Sequence, residues 1–326
     1  MSSDNLITSI HRWDELDLDE LAEFSFEAKQ SRSETHNTER SVDEERRIIN
    51  WRQQFSPSLV VITRKKKKIL GWLSFDLAST SILEIGRWLP IIIQVDCEDL
   101  VIKSLLEESK KYCEHVKYPR IEVSFDVESR REKLVYDIYK RWHEANDLHL
   151  KEEIAYMNRP LSESDNAEIP LPETFETKSI LEISDSELYR CYYEAFIQGQ
   201  DRMFQDQTEN ERLEYFHDYY SKSKPLIKEA SLVLKKTEGG EILGVTLLRP
   251  RGKDAHLALL AIHPNYQGRK LGGFLLRLVL RKVFQQGFNT ISLGVDIENP
   301  AIRIYQKFGF RTQSHIITHS WKNQKP

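Results

Sequence analysis

The chain carries one segment twice. SLVVITRKKKKILG, Ser58 to Gly71, aligns without gaps on SLVLKKTEGGEILG, Ser231 to Gly244. Both copies read as a strand, a polar turn and the start of a second strand. Further on, IEVSFDV (Ile121 to Val127) returns as ISLGVDI (Ile291 to Ile297), in the same order and at nearly the same offset. Self-similarity at this period means that one structural unit has been copied in tandem, which constrains the fold more than any local pattern does. A length of 326 residues suits two domains. Halves of this size bury roughly 70% of the surface their unfolded chains expose, so neither needs a disulfide or a structural metal.

After each of the later strands comes a helical pattern with a tyrosine near its end, YDIYKRW in the first half and AIRIYQKFGF in the second. The two halves therefore read as copies of one α/β (α+β) unit, a central mixed sheet flanked by helices. Between them RPLSESDNAEIPLPETFE, Arg159 to Glu176, holds three prolines, several acids and little apolar periodicity, as a linker does. The expected division is a first domain over 1–160, a linker over 161–174 and a second domain over 175–326. The repeat also explains the basic run Arg64 to Lys68. Its counterpart is TEGGE, a hairpin turn of opposite charge, so a solvated turn is the better reading than a patch for nucleic acid or anionic lipid.

Composition excludes several classes. Lys and Arg number 47 against 51 Asp and Glu, a formal charge of -4, which leaves no positive excess to hold a polyanion. Cys97, Cys113 and Cys191 form no CxxC pair, and no histidine cluster has metal-ligand spacing. The first twenty residues are acidic and lack an apolar h-region, and the greasiest run, Leu89 to Val95, is too short to span a bilayer. A reducing, cytoplasmic setting, with no metal, nucleic acid or membrane partner, is the expectation.

The copies differ most where chemistry can sit. HLALLAIHP, His256 to Pro264, reads as a buried strand stopped by proline, and NYQGRKLGGFLLRLVLRKVFQQG, Asn265 to Gly287, follows it. From Phe274 the apolar residues Leu275, Leu276, Leu278, Val279 and Val283 fall on one helical face. A glycine-bearing loop therefore joins a strand to a helix N-terminus. Such a loop offers unpaired backbone N–H groups beside the positive end of a helix dipole, and small residues let phosphate oxygens approach. It is neither a Walker A loop nor a GxGxxG dinucleotide fingerprint.

QGRKLGG, followed after helix and strand by ENPAIRIYQKFGF (Glu298 to Phe310), resembles the GNAT superfamily of acetyl-CoA-dependent N-acetyltransferases. In that family a loop of pattern Q/R-x-x-G-x-G/A holds the coenzyme A pyrophosphate. The resemblance assigns this role to Ile262, Gln267, Gly268, Arg269, Lys270, Leu271, Gly272 and Gly273, with Asn299 at the start of the family's last conserved helix. Lys270 departs from the pattern, standing where the family has its first motif glycine. If the loop needs a positive φ there, a lysine is strained; if not, its amide still donates and its ammonium adds charge.

The resemblance gives Tyr305 the role of the acid that protonates the departing thiolate, a task a neutral phenol suits; a tyrosine that only packs its helix fits the pattern too. His256 stands where some family members carry a catalytic glutamate and can titrate in the useful range, although a polar residue at a strand entrance reads the same way. In the first half, Pro90 and the IIIQV run replace the glycine loop, so that copy is expected to lack the cofactor site, with Tyr139 a structural echo. The resemblance places the acceptor against Ala195 to Tyr220, where Asp201, Asp206, Phe204, Tyr215 and Phe216 can receive a cationic amine; an amphipathic helix with an acidic outer face reads the same way.

The resulting expectation is two tandem GNAT-like domains, the first degenerate, moving an acetyl or small acyl group from acyl-CoA to a primary amine of a small molecule or peptide. The internal pseudo-dimer can make a homodimer unnecessary. The alternative is a non-catalytic CoA-sensing or protein-interaction module on the same scaffold.

Overall fold

In the computed structural model, residues 6–32, 41–55, 58–77, 82–85, 92–93, 98–127, 130–198, 201–205 and 207–324 are described. The chain divides by its internal packing into Met1–Lys151 with Ile317–Pro326, and Glu152–Ile316. The division thus falls earlier than the proline-rich segment, and the last ten residues return to the first unit.

The first unit contains β1 (Leu6–His11), α1 (Leu18–Arg32), α2 (Val42–Phe55), β2 (Ser58–Lys65), β3 (Lys68–Asp76), β4 (Ile82–Ile85), the short β5 (Ile92–Ile93), α3 (Glu98–His115), β6 (Arg120–Val127) and α4 (Arg130–Ala145). Strand β7 (His149–Pro160) starts here and runs on into the second unit. Strands β1, β2, β3 and β4 form an antiparallel meander, and β6 joins β4 in parallel, Ile82 opposite Arg120 to Ile85 opposite Val123. The basic run is the β2–β3 turn. Lys65 pairs with Lys68, Lys66 takes φ 59°, and the Arg64 guanidinium meets both carboxylate oxygens of Glu20 at 2.6 and 2.7 Å.

The second unit repeats the plan with β8 (Phe175–Ser179), α5 (Asp185–Ile197), α6 (Arg202–Gln205), α7 (Glu209–Tyr220), β9 (Leu232–Lys236), β10 (Ile242–Arg251), β11 (Asp254–Ile262), α8 (Leu271–Gln285), β12 (Thr290–Asp296) and α9 (Ile302–Lys307). The final strand, β13 (Arg311–Lys322), begins here and ends in the first unit. β8 to β11 are antiparallel neighbours, β12 lies parallel to β11, and β7 pairs antiparallel with β12. Both units are therefore an antiparallel meander closed by one parallel pair, the crossover running through α3 in one and α8 in the other.

Local chemistry sets the helix starts. Ser184 accepts from the Glu187 amide while Glu187 Oε2 accepts from the Ser184 amide, and Thr208 with Glu211 repeats that reciprocal box at the head of α7. Along α8 the spacing of Leu275, Leu276, Val279, Leu280 and Val283 puts all five in the core, each contributing on the order of 1.5–3 kcal/mol.

The segment read as a linker is held in the second unit. Ser162 and Asp165 cap a short 3₁₀ turn over Glu163–Asn166, Arg159 meets both Asp165 oxygens at 2.6 and 2.7 Å, and Gln285 at the end of α8 donates to Asn166 Oδ1 at 3.0 Å. Its polar composition signals capping and ion pairing, which hydrophobic periodicity does not see. Among the described residues no helix is long and apolar enough to cross a membrane, and no group of three His, Cys, Asp or Glu side chains could hold a metal ion. Cys113 and Cys191 are buried, their thiols pushed up by desolvation to about 12 and about 11; Cys97 lies outside the described residues.

Candidate active site

Three features of β11 create the site. The first is a bulge. Leu247 pairs with Leu259 but Leu248 pairs with Leu257, so Ala258 is an extra residue that bends the strand. The second is a splay, since parallel pairing with β12 runs from Asp254 opposite Thr290 only to Leu257 opposite Leu293. Beyond that point β11 continues to Ile262 and β12 to Asp296 without laddering to each other, which leaves a cleft edged by backbone groups. The third is the close fit of β10 at the cleft's end, where a Cβ on Gly244 would stand 2.6 Å from Ile262 Cδ1 and 2.9 Å from the Ala261 carbonyl oxygen. Glycine is required there.

The loop after β11 is pinned at several points. The His263 amide donates to Leu243 O at 2.9 Å, and His263 Nδ1 accepts from the Asn265 amide at 3.2 Å. Gln267 Nε2 donates to Ile262 O at 3.0 Å and to Ala195 O at 3.4 Å, so this side chain shapes the loop. Tyr266 donates to Glu241 at 2.8 Å, receives Lys236 at 2.5 Å, and carries the Arg269 guanidinium 5.1 Å from its ring centre.

Gly268 has φ 74° and Lys270 has φ 64°, ψ 8°. The lysine is thus in the left-handed conformation that a glycine would take at little cost, which answers the question its identity raised: the loop keeps its shape and the lysine bears the strain. Alternation of left- and right-handed residues turns successive amides to one side, an anion-binding nest. The first bond of α8 runs from the Phe274 amide to Lys270 O at 3.1 Å, so the amides of Leu271, Gly272 and Gly273 have no intrahelical acceptor, and among the described residues no side chain caps them. A Cβ on Gly272 would lie 3.8 Å from Ile262 and from Leu260 and 3.9 Å from Ile304, while one on Gly273 would lie 3.4 Å from Phe308. Strand end, helix start and α9 therefore meet at this loop. The donor set, all backbone N–H at a positive helix end, fits a diphosphate.

Tyr305 is on α9, 8% exposed, with its ring edge-on to Phe310 at 5.8 Å. Burial pushes its phenol up to about 12, above its ordinary value. Asn299 does local work, its Oδ1 accepting from the Ala301 amide at 2.9 Å and so fixing the start of the α9 turn.

His256 lies six residues before Ile262, roughly 20 Å along the strand, on the part of β11 still paired with β12. Its Nδ1 is 3.0 Å from Ser292 Oγ and its ring lies nearly parallel to Tyr156, at 16° and 6.3 Å between centres. Burial, and then the charges of Arg251 and Arg249, push the imidazole down to about 4, so it is neutral at pH 7.

The proposed acceptor wall is mostly core. Phe204 and Phe216 are 1% exposed, and the Arg212 guanidinium stands 4.5 Å over the Phe204 ring, filling the place a cationic ligand would need. Asp201 Oδ1 accepts from the Phe204 amide at 3.0 Å, and Tyr215 stacks on Tyr219 at 4.3 Å. Asp206 lies outside the described residues, as does most of the first-half segment around Pro90. Tyr139 is buried against Phe125 and Trp142. Residues that sequence reasoning missed are Ser292, Tyr156, Arg249 and Arg251, which reach His256 only through strand pairing. The repeat could have flagged Ser292: its counterpart Glu122 is ion-paired with Arg120 at 2.9 Å and Lys151 at 2.6 Å, and nothing at Ser292 preserves that charge.

Residues 187–310 match the family model described as the acetyltransferase (GNAT) family. This stretch is a GNAT domain. Similar to the chain is a mycothiol acetyltransferase of Streptomyces avermitilis, 27% identical over 168 residues, 51% of this chain and 52% of that protein. Among solved structures, a GCN5-related N-acetyltransferase from Sphaerobacter thermophilus shares 15% identity with a TM-score of 0.58, over 99% of this chain and 97% of that one. A tandem GNAT protein from the clavulanic acid biosynthesis pathway shares 11% with a TM-score of 0.51, over 98% of each. At those identities the likeness shows the fold alone, one that these two GNAT structures share over nearly the whole chain. The chain spans between 20% and 56% of the length of the curated relatives it matches. The GNAT match takes in the bulged β11, the loop and α9 together.

Proposed function

We propose that the chain is an acetyl-CoA-dependent N-acetyltransferase whose one site lies in the second unit, and whose acceptor is a primary amine of a small molecule or peptide. The observation that carries this reading is the juxtaposition at Gly272 of a left-handed turn, three amides without intrahelical acceptors, the splayed end of β11 and the helix bearing Tyr305. Gly268 to Gly273 would hold the diphosphate through backbone N–H groups, and the free edge of β11 would receive the acyl-carrying arm. Acetyl-CoA supplies the activated acyl carbon as a thioester.

The amine lone pair forms the new C–N bond at that carbon, and the C–S bond breaks. Tyr305 donates its phenolic proton toward the leaving sulfur. A phenol held at about 12 is a weak acid, but the burial that raises it raises a thiol in the same place, so the two stay matched. The ammonium proton created by attack passes to His256 or to water. A base held near 4 is weak, yet the burial, and then the charges of Arg251 and Arg249, that disfavour imidazolium also disfavour an incoming ammonium, so the amine enters neutral.

CoA release measured against a panel of primary amines tests this function. Turnover with at least one amine, reduced in Tyr305→Phe, is the expected result. Tight acetyl-CoA binding with no turnover on any amine would replace the enzyme by the CoA-sensing module.

A further inference from the structure

Ser292 Oγ lies 3.0 Å from His256 Nδ1 and 3.3 Å from the backbone carbonyl oxygen of Ala255. The Ser292 hydroxyl donates its one proton to Ala255 O, an oxygen that only accepts. The oxygen of Ser292 is then an acceptor toward the imidazole, and Nδ1 must carry the ring hydrogen. Ala255 is fully buried and Ser292 is 4% exposed, which shields this pair of bonds from exchange with solvent. Pairing fixes the geometry: His256 is directly opposite Ser292 in the parallel ladder, with Ala255 opposite Ile291. Two residues on, Gly294 pairs with Tyr156 on β7, and a Cβ there would stand 3.2 Å from Ile154 Cγ2.

We infer that Ser292 is a positioning residue that holds His256 as the Nδ1–H tautomer and keeps the Nε2 lone pair as the proton acceptor for the incoming amine. This rests on the acetyltransferase reading above for its purpose, although the tautomer itself does not. Free imidazole side chains exchange between two neutral tautomers; a ring with its hydrogen on Nε2 would present a donor to the amine and could not take its proton. Ser292 acts without touching substrate, by deciding which nitrogen is bare. The first unit has no such device, because Glu84 and Glu122 stand opposite each other at the same ladder positions and Glu122 is committed to Arg120 and Lys151.

Nitrogen-15 NMR of the full chain labelled at histidine tests the assignment, with His256→Gln identifying the resonances. At pH 7 the expected result is an Nε2 shift of an unprotonated ring nitrogen and an Nδ1 shift of a protonated one, with the Nε2–H form appearing in Ser292→Ala. A His256 ring protonated at Nε2 in the unaltered protein would overturn the proposal, as would an unchanged tautomer in Ser292→Ala. The first measurement needs no variant to fold. Calorimetric titration with acetyl-CoA on the same samples separates the two claims: absence of binding defeats the acetyltransferase reading while the tautomer result stands or falls alone.

Discussion

Tyr305 lies edge-on to Phe310, ring centres 5.8 Å apart at 66°, inside the core that α8 and α9 share with β12. The ring is thus a packing element and its hydroxyl is separable from that role. Tyr305→Phe should keep the fold and acetyl-CoA affinity while lowering kcat by roughly 10²-fold, the lower range for loss of a positioned acid. Steady-state CoA release with a melting curve measures both. A variant with full kcat would show that the hydroxyl takes no part.

Lys270 carries a φ of 64° where a glycine would be at ease. Lys270→Gly should raise stability by up to about 1 kcal/mol, because the left-handed penalty exceeds the entropy a glycine restores to the unfolded chain. Urea unfolding measures it. A loss of stability would mean that the lysine side chain, not the turn, holds the loop.

Buried imidazoles make the protein sensitive to acid. Burial pushes His143 down to about 3, with His319 next, and burial likewise holds His319 and His256 at about 4, all below the ordinary 6.5. In the unfolded chain these groups bind protons from about pH 6.5 downward while the folded chain does not. Their stabilising contribution is therefore complete above pH 6.5 and is lost as the pH falls toward 4. Neither His143 ring nitrogen has a hydrogen-bond partner among the described residues, and Phe125 stands 5.3 Å away. His143→Leu should remove one proton from the slope, about 1.4 kcal/mol per pH unit between pH 6 and pH 4. Denaturant melts at pH 7 and pH 5 give the comparison; equal losses in variant and parent would assign the acid sensitivity elsewhere.

Gly244 and Ile262 are in contact so close that Gly244→Ala forces movement, because the second obstacle is the Ala261 carbonyl oxygen and not a flexible side chain. A loss of on the order of 1–3 kcal/mol is expected, the usual range for overpacking. Thermal unfolding checks it, and an unchanged midpoint would show that β10 can slide.

The tandem plan was readable because both copies keep the hairpin and the parallel strand, Ser58 to Gly71 answering Ser231 to Gly244. The loop was readable from glycine placement and chain order. Lys270's backbone was not, since a lysine's identity does not state its φ. Neither was the partnership of His256 with Ser292 and Tyr156, because those contacts arise from ladder registers between strands far apart in sequence. Phe204 and Phe216 misled for the opposite reason: aromatics in an amphipathic helix read alike whether they face a ligand or the core, and here Arg212 and the β-sheet take both sides.

One site per chain, at the head of α8, is proposed to bind acetyl-CoA. Isothermal titration of acetyl-CoA into the full chain, into Gly272→Ala and into Gly272→Trp is the test. The alanine methyl meets its neighbours at ordinary contact distances of 3.8 to 3.9 Å, so that variant should fold as the parent does and control for stability. One site per chain, abolished by tryptophan in a protein that still melts cooperatively, is the expected result. No binding to the unaltered chain, two sites, or binding indifferent to tryptophan would contradict it.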